Sequence, residues 1–552
     1  MQQLIATGKS SAAVSARGLF SKARLRLGAY LRSLLHAMLW FVHGCPRVLG
    51  GPSTFTPELL AKECEQQKWQ YLQASHLSER AVGDFILRAA PDLIVSLGDV
   101  PALPSDCSVP PKGWIRACVN EFHDGVDKVV DKLHIRIESV TEDTSPPHSL
   151  ASLTLPRQAY DSMLGFTLKA DLVIDDMLSQ AVVAMRTGNV RQASKDLAQW
   201  IADIWSPCLA QLGPSPTATQ RQPLARQRAH SVWSLGIETI LLCSPAVLIR
   251  NWLRRWRGCY PVLILAHHLV SDRGHRLSMS TEAFWRQARF LLRHYRIVGL
   301  SEAADSLRSG RVHTPTVVLT FDDGYADNFV SLRAVAEEVS IPVSLFITTE
   351  PVELHREFQH DLSRGDHGVF PMTWNQIRYW KARGAEFGSH TRTHVKCGAV
   401  AKALLRDEIV GSKIDFENNL GAAPDFFAFP YGNRENIPPE AVELAVSVYP
   451  YFLSCFGGEN FPSDAADHSH LLRKMAYANP WELELELQSV FDFVKITKRA
   501  LHVRHGKSPT LLGQTKPATG VAALECAANL DETANQLVPG SSRPIQRLVK
   551  PS

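Results

Sequence analysis

The sequence lacks the cysteine spacing of a zinc finger or of a disulfide-rich fold. Its ten cysteines are scattered over 552 residues, and no two of them form a C-x-x-C pair. Structural zinc sites and small disulfide scaffolds depend on such paired spacing, so the sequence indicates neither class. Unpaired cysteines suit a reducing compartment, and we therefore expect a cytoplasmic protein.

A large excess of charge of one sign is also absent. The net charge is +4 at pH 7, which is small for a chain of this length, and no stripe of Lys or Arg interleaved with aromatic residues outweighs that observation. Proteins dedicated to nucleic acid present such positive surfaces, so we expect no nucleic-acid partner. With 45% hydrophobic and 21% charged residues, the composition is that of a globular chain.

The amino-terminal arm, residues 1–55, has no long hydrophobic run. Its apolar stretch from Leu34 to Val42 is interrupted by His36 and is too short to span a bilayer. The stretch also lies far from Met1 and has no clean cleavage site, so we expect no secretory signal. No acid precedes Glu58, which leaves two interpretations open: an amphipathic helix at an anionic membrane surface, or a disordered basic extension.

The length of the chain predicts more than one folded unit. The segment GPSPTAT, from Gly213 to Thr219, marks a boundary by its composition, and the region beyond Lys498 is polar and rich in Gly, Pro and Ser. We expect five parts: a basic arm (1–55), an α/β unit (56–212), a linker rich in Pro and Arg with an apolar segment (213–259), a catalytic unit (260–497) and a disordered tail (498–552).

The first unit shows helical patterns followed by strand patterns. Ala81 to Ala90 has helical spacing, Pro91 to Leu97 is a buried-strand pattern, and Leu172 to Met185 again predicts a helix. This alternation is typical of an open α/β sheet.

The linker carries one segment with two possible locations. Val232 to Trp256 contains a short apolar core and ends with Trp252, Trp256 and several arginines. Such a helix suits a membrane interface, but it could equally pack on the catalytic unit.

The catalytic unit is organised around the segment TVVLTFDDGYADN, which begins at Thr316. A buried strand leads directly into Asp322 and Asp323, and Gly324 allows a sharp turn after them. Adjacent carboxylates repel each other unless a cation offsets their charge. The usual arrangement is that one carboxylate binds a metal ion and the other remains free as a base.

Two histidines follow another predicted strand. In GSHTRTH, His390 and His394 are four residues apart and come after the strand pattern AEFGS. Two imidazoles and one carboxylate, with positions left for water, are typical of an open catalytic metal site.

Further strand and helix patterns alternate along the same unit. The strand patterns are Pro261–Ala266, Val343–Ile347 and Phe426–Phe429, and the helical patterns are Thr281–Tyr295, Phe329–Val339 and Ala401–Leu420. Repeated strand-then-helix units predict a parallel sheet that closes into an incomplete (β/α) barrel. His268, Asp322, Asp323, His390, His394 and Tyr431 all follow a predicted strand, which places them at the face where such barrels assemble their chemistry.

TFDDG, SHTRTH and FPYG occur in the order found in the NodB-homology polysaccharide deacetylases of carbohydrate esterase family four, which this unit resembles from Tyr260 to Phe493. The resemblance implies that Asp322 is the general base. It also implies that Asp323, His390 and His394 hold a divalent metal ion, expected to be zinc, and that the backbone N–H of Tyr431 stabilises the oxyanion.

The resemblance leaves the general acid open between two histidines. AHHLVSD resembles the strand-then-YH opening of some family members, with His267 in the Tyr position, which favours His268. His470 is the alternative, because more typical members keep the acid near that place. The Arg that often precedes the FPYG motif is missing, and Arg473 is the candidate to replace it.

The run from Pro57 through Gly113 resembles a formyltransferase domain. The family's Asn-x-His-Pro-Ser segment is missing, since Asn120 and His123 in VNEFHDG have the wrong spacing. We therefore expect a degenerate domain, with Asn120, His123 and Asp124 as ordinary loop residues.

The resulting expectation is a metal-dependent hydrolase that removes an N-acyl group, expected to be acetyl, from a polysaccharide or glycolipid. The alternatives are a deformylase, a formyltransferase fused to a hydrolase, and a non-catalytic carbohydrate-binding scaffold. Contact with a membrane surface is a further expectation, and the sequence does not indicate an oligomeric state.

Overall fold

A computed structural model describes residues 94–97, 114–123, 130–140, 148–158, 160–187, 189–211, 244–310, 312–462 and 469–490. The amino-terminal arm, the tail beyond residue 490 and the helices expected before residue 91 lie outside these ranges. None of the helices in the described ranges combines the length and the apolar character needed to span a bilayer.

The amino-terminal unit consists of a four-stranded sheet and two long helices. Its elements are β1 (Ile94–Leu97), β2 (Trp114–His123), β3 (Val130–Val140), β4 (His148–Pro156), α1 (Met163–Thr187) and α2 (Val190–Gln211). Strand β1 is parallel to β2, whereas β2, β3 and β4 form an antiparallel meander. From Lys132 to Ile137 on β3 and from Ser152 to Pro156 on β4, buried side chains alternate with more exposed ones, because only one face of the sheet is covered.

This sheet differs from the open α/β sheet that the sequence predicts. The predicted strand before residue 98 and the helix from Leu172 to Met185 are present, as β1 and part of α1. Strands β2 to β4 are not predicted, because charged residues such as Arg116, Lys132 and Arg136 interrupt their apolar pattern. Asn120 and His123 are strand residues of β2 rather than loop residues, and Asp124 lies outside the described ranges.

The second unit contains a closed barrel of parallel strands. The barrel strands are β5 (Val262–His267), β9 (Thr316–Phe321), β10 (Ser344–Ile347), β11 (Glu386–Ser389), β12 (Phe426–Ala428), β13 (Tyr451–Ser454) and β14 (His470–Met475). Going around the ring, each strand pairs with the next in this order, and β14 pairs back to β5. The ring is closed but has seven strands instead of the eight of a full (β/α) barrel, which confirms the predicted incomplete barrel.

Helices and short strands surround this ring. The helices are α3 (Pro245–Arg257), α4 (Thr281–His294), α5 (Leu300–Arg308), α6 (Arg333–Glu338), α7 (Thr349–Leu354), α8 (Gln359–Leu362), α9 (Trp374–Ala382), α10 (Lys402–Arg406), α11 (Ser412–Leu420), α12 (Pro439–Val448) and α13 (Pro480–Leu487). The short strands are β6 (Leu269–Val270), β7 (Ser278–Met279) and β8 (Arg296–Val298). Asn328–Leu332 and Asp407–Gly411 are π-helical turns that lead into α6 and α11.

The predicted strands owe their burial to the barrel itself. All six residues of β5 and all six of β9 are buried, as expected where helices cover the outside of a parallel sheet. One hydrophobic core joins the two units: Met177 of α1 and Trp205 of α2 belong to the same buried cluster as Phe329 and Leu332 beside the barrel. The two long helices therefore pack against both the amino-terminal sheet and the helices that surround the barrel.

Candidate active site

The two adjacent carboxylates leave the carboxyl end of β9 through a tight turn. The N–H of Asp322 donates to the carbonyl of His267 at 2.9 Å, which continues the pairing with β5. Asp323 then adopts the left-handed conformation, with φ 73°, and Gly324 follows with φ 88°. A Cβ at Gly324 would lie 2.8 Å from the side chain of Ile347, so glycine is required there. The turn sends the two carboxylates in different directions.

The two histidines follow β11 on a loop rather than on a helix. Thr391 and His394 both have positive φ values, 65° and 63°. The N–H of His394 donates to Oγ1 of Thr391 at 3.1 Å, and Glu408 accepts the backbone N–H groups of Arg392 and Thr393. Strained backbone of this kind persists only where the surroundings hold it in place, and it is frequent at functional sites.

Asp323, His390 and His394 converge on one point. One ligand atom from each of the three lies within 4.8 Å of the others. Oδ1 of Asp323 is 3.6 Å from Nε2 of His390 and 3.1 Å from Nε2 of His394. The structure therefore brings together the three residues that the sequence indicated as metal ligands.

The chemistry of these three side chains fits a divalent metal ion. Asp323 is fully buried, yet neither of its carboxylate oxygens receives a hydrogen bond of good geometry. Nδ1 of His390 lies 2.7 Å from the carbonyl oxygen of Ala428 and must donate to it, which leaves Nε2 as an unprotonated acceptor. A metal-binding histidine usually donates its other ring N–H to a carboxylate, a backbone carbonyl or water, and the Ala428 carbonyl is such a partner for His390. Two nitrogens and one carboxylate oxygen are suitable zinc ligands.

Burial and charge set the protonation states needed for this arrangement. Burial lowers the pKa of His390 to about 4, so the imidazole is neutral at pH 7. Burial alone would raise the pKa of Asp323, but the neighbouring His394 and His360 hold it well below its usual value. The site therefore presents a carboxylate and a neutral imidazole at neutral pH.

Asp322 does not join the metal ligands but pairs with a buried arginine. Burial would raise the pKa of Asp322, but the charge of Arg473 lowers it overall, so the carboxylate stays ionised. Arg473 was the candidate replacement for the missing arginine, and its Nη1 does contact Oδ1 of Asp322 at 2.5 Å. Oδ2 of Asp322 faces Nε2 of His390 at 3.9 Å.

The two candidate acids lie at opposite ends of the barrel strands. His268 directly follows β5, next to Asp322 on the neighbouring strand, and its side chain is half-buried. His470 is the first residue of β14, where its ring stacks on Phe452 and its Nε2 lies 2.8 Å from the Ser454 hydroxyl. His267, by contrast, is a core residue whose Nε2 lies 2.9 Å from Oε1 of Gln287.

Tyr431 lies on the turn after β12, beside the histidines. Its φ is 59°, and its ring centroid is 4.9 Å from that of His394. A Cβ at the following Gly432 would lie 2.8 Å from Cys455, so this turn also depends on glycine. The predicted oxyanion donor therefore lies at the same end of the barrel as the carboxylates.

Two further residues lie at this site without having been predicted from the sequence, His360 and Tyr325. His360 is buried on α8, with its ring centroid 3.9 Å from that of His394, and Tyr325 is fully buried directly after the Asp-Asp-Gly turn. The position of Tyr325, one residue after the turn, was a usable signal. For His360 the sequence offers none, because it lies on a long connection between β10 and β11 without a recognisable pattern.

Residues 309–446 match the family model described as polysaccharide deacetylase. This part of the chain is a polysaccharide deacetylase domain. The chain is therefore a hydrolase that acts on carbon–nitrogen bonds other than peptide bonds. The match lies in the second unit, and the formyltransferase likeness expected for the first unit is not confirmed.

Solved structures similar to the chain include three deacetylases. IcaB from Ammonifex degensii is 23% identical, with a TM-score of 0.36, and the match covers 42% of this chain and 97% of that one. Streptococcus pyogenes deacetylase PplD in complex with acetate is 18% identical, with a TM-score of 0.35 and coverage of 42% and 99%. BC0361, a polysaccharide deacetylase from Bacillus cereus, is 13% identical, with a TM-score of 0.34 and coverage of 65% and 78%. No curated protein matches the chain.

Proposed function

We propose that the deacetylase domain hydrolyses N-acetyl groups of a polysaccharide or glycolipid with the help of a zinc ion held by Asp323, His390 and His394. The observation that carries this proposal is the buried carboxylate of Asp323, whose oxygens lack hydrogen-bond donors and whose Oδ1 faces the Nε2 atoms of His390 and His394. A bound zinc ion would supply Lewis-acid chemistry, polarising the amide carbonyl and lowering the pKa of water.

Asp322 is the general base in this proposal. Its carboxylate stays ionised beside Arg473 and is separate from the three ligands, so it is free to accept a proton from the attacking water. The backbone N–H of Tyr431 donates to the oxygen that becomes negatively charged when water adds to the acetyl carbon.

His268 is the general acid that protonates the leaving nitrogen, so that the C–N bond breaks to release a free amine and acetate. Two features support it over His470: it follows the carboxyl end of a barrel strand, and it lies beside Asp322. His470 is the first residue of its strand, and its ring stacks on Phe452.

The test combines metal analysis of the purified protein with acetate and formate release from chito-oligosaccharides and from N-acyl glycolipids. Asp322→Asn is expected to retain zinc and lose turnover, because it removes the base and leaves the three candidate ligands in place. His390→Ala is expected to lose both. Turnover retained in either variant would contradict the mechanism, and formate release without acetate would replace the acetyl assignment by formyl.

We also propose that the protein contacts anionic membrane surfaces through helix α3. Ile249, Trp252 and Trp256 lie on one side of this helix and are 56%, 61% and 70% exposed. The two indole rings stack with their centroids 6.0 Å apart. Solvent-exposed tryptophans on a helix that is rich in arginine are typical of interfacial binding.

The other side of α3 holds the helix against the deacetylase domain. Arg250 donates to the carbonyl of Gln488 at 2.7 Å, Asn251 donates to its side chain at 2.8 Å, and Arg254 pairs with Glu459. No acid occurs between residues 239 and 271, so attraction to an anionic surface is unopposed within this segment. The helix can therefore pack on the deacetylase domain with one side and contact a membrane with the other, so the two locations that the sequence left open do not exclude each other.

Sedimentation with vesicles tests the membrane contact. We expect binding to vesicles of phosphatidylglycerol and phosphatidylcholine, weaker binding in high salt, and loss of binding in Trp252→Ser/Trp256→Ser. Leu354→Ser, at an exposed apolar residue elsewhere, is the matched control. Equal sedimentation of the double variant and the parent would refute the role of α3.

Two further assignments remain proposals. We propose the division at residues 55, 212, 259 and 497 that the composition predicts. We also propose a cytoplasmic location, supported by the free thiols of the described cysteines Cys118, Cys208, Cys259 and Cys397.

A further inference from the structure

A third imidazole lies against the three candidate zinc ligands. His360 is 8% exposed, and its Nε2 is 3.8 Å from Oδ2 of Asp323. His390 and His394 face the other oxygen, Oδ1. The two sides of the Asp323 carboxylate therefore have different neighbours, with the candidate ligands on one side and His360 on the other.

His360 itself does not share the ligand point. Among the described residues, the ligand atoms that lie within 4.8 Å of one another at this site come from Asp323, His390 and His394 and do not include His360. Its position is that of a neighbour of the carboxylate rather than of a fourth ligand.

Hydrogen bonding determines which nitrogen of His360 carries the proton. The Tyr325 hydroxyl donates to Oδ2 of Asp361 at 2.7 Å, and its oxygen lies 3.2 Å from Nε2 of His360. A phenol has a single hydrogen, so once that hydrogen is given to Asp361 the oxygen can only accept from His360. The imidazole of His360 therefore carries its proton on Nε2, the atom that faces Asp323.

Asp361 is held as an anion and can only accept, which fixes the direction of the hydrogen bonds that link His360, Tyr325 and Asp361. Arg276 donates to Oδ1 of Asp361 at 2.9 Å, and Nε2 of His275 lies 3.4 Å from the same oxygen. Burial would raise the pKa of Asp361, but the hydrogen bond from His275 and the surrounding charges lower it overall. The order of donation thus runs from His360 to Tyr325 and from Tyr325 to Asp361.

We propose that His360 is a positioning residue for zinc binding: its imidazole, whose Nε2–H donates to Tyr325, places the positive end of its dipole beside Oδ2 of Asp323 and thereby keeps Oδ1 turned toward His390 and His394. Tyr325 and Asp361 keep the proton of His360 on Nε2. The proposal rests on the zinc site of the proposed function. Partners that orient a metal-binding carboxylate typically change metal affinity by 10- to 100-fold.

The test measures the zinc affinity of the full-length apo-protein by competition with a chromogenic chelator. We expect His360→Ala to bind zinc about 10- to 100-fold more weakly, and His360→Gln, which can still present an N–H, to recover part of the loss. Tyr325→Phe is expected to weaken binding as well, because the tautomer of His360 is no longer selected. His367→Ala, at an exposed histidine of the same connection, is the control and should bind like the parent.

The outcomes separate this proposal from the zinc site itself. If the parent binds no zinc, the proposed function fails. If the parent binds zinc and His360→Ala binds it equally well, the positioning role alone is refuted. Equal, complete loss in His360→Ala and His360→Gln with unchanged affinity in Tyr325→Phe would make His360 a ligand, which also overturns the proposal. Thermal unfolding of each apo-variant verifies that it is folded.

Discussion

Nη1 of Arg473 lies 2.5 Å from Oδ1 of Asp322, although 151 residues separate the two in the chain. Both side chains are buried, at 1% and 3% exposure. Ring closure creates the contact: β14 pairs with β5, and β5 pairs with β9, so Arg473 extends inside the barrel toward the end of β9. An ion pair removed from water in this way is strong only as long as both partners are present.

Replacing Arg473 by Met should therefore impair both stability and catalysis. An unpaired buried carboxylate is expected to lower the free energy of unfolding by about 3–5 kcal/mol. Arg473→Lys should recover part of the loss, because it restores charge without the planar geometry. Urea denaturation and acetate release measure the two effects. Arg286→Met breaks an exposed pair with Glu282 and should change little; a similar small effect for Arg473→Met would show that the buried pair is unimportant.

The choice of general acid leads to a second prediction. His268→Ala should lower kcat by about 10²- to 10⁴-fold with zinc content unchanged, as expected on loss of a proton donor. His470→Ala should retain most of the turnover, since His470 lies at the amino end of its strand. Steady-state kinetics of both variants on the same substrate is the measurement. The reverse ranking would transfer the role to His470.

Asp176 on α1 connects the amino-terminal unit to the barrel. It pairs with Arg333, and it accepts hydrogen bonds from Nε1 of Trp205 at 3.2 Å and from the Tyr379 hydroxyl at 2.8 Å. Because Arg333 is also buried, Asp176→Ala should reduce the free energy of unfolding by about 3 kcal/mol or more. Chemical denaturation is the measurement, with the exposed Asp196→Ala on α2 as the control. Equal midpoints for the two variants would contradict the structural role.

A pH-dependent effect is expected at Asp171. Burial raises its pKa from the usual 3.8 to about 6. The folded state therefore holds this proton more tightly than the unfolded state, and stability decreases as the pH rises through the interval from about 4 to 6. Asp171→Asn should stabilise the protein at pH 8 by about 1–2 kcal/mol and have little effect at pH 4. Thermal unfolding at both pH values is the measurement, and an equal effect at the two would exclude titration of Asp171 as the cause.

The local hydrophobic pattern of the sequence was sufficient to predict several of the barrel strands. Apolar runs predicted β5, β9, β10 and β12 to within one or two residues, because parallel strands buried on both faces have uninterrupted hydrophobic sequences. The same reasoning failed for β2 to β4, which expose one face and carry charged residues. It also left β14 unpredicted, since Arg473 and Lys474 interrupt its apolar pattern.

The amino-acid sequence by itself determined which side chains emerge from strand ends: Asp322 and Asp323 after one strand, His390 and His394 after another, and His268 after a third. This information is local, because a strand and the turn after it are specified by neighbouring residues. Only the tertiary structure decided that Arg473 reaches Asp322 and that His360 faces Asp323. Those contacts depend on ring closure and on the path of the connection between β10 and β11, and the side chains involved are brought together by packing over distances that no sequence pattern records.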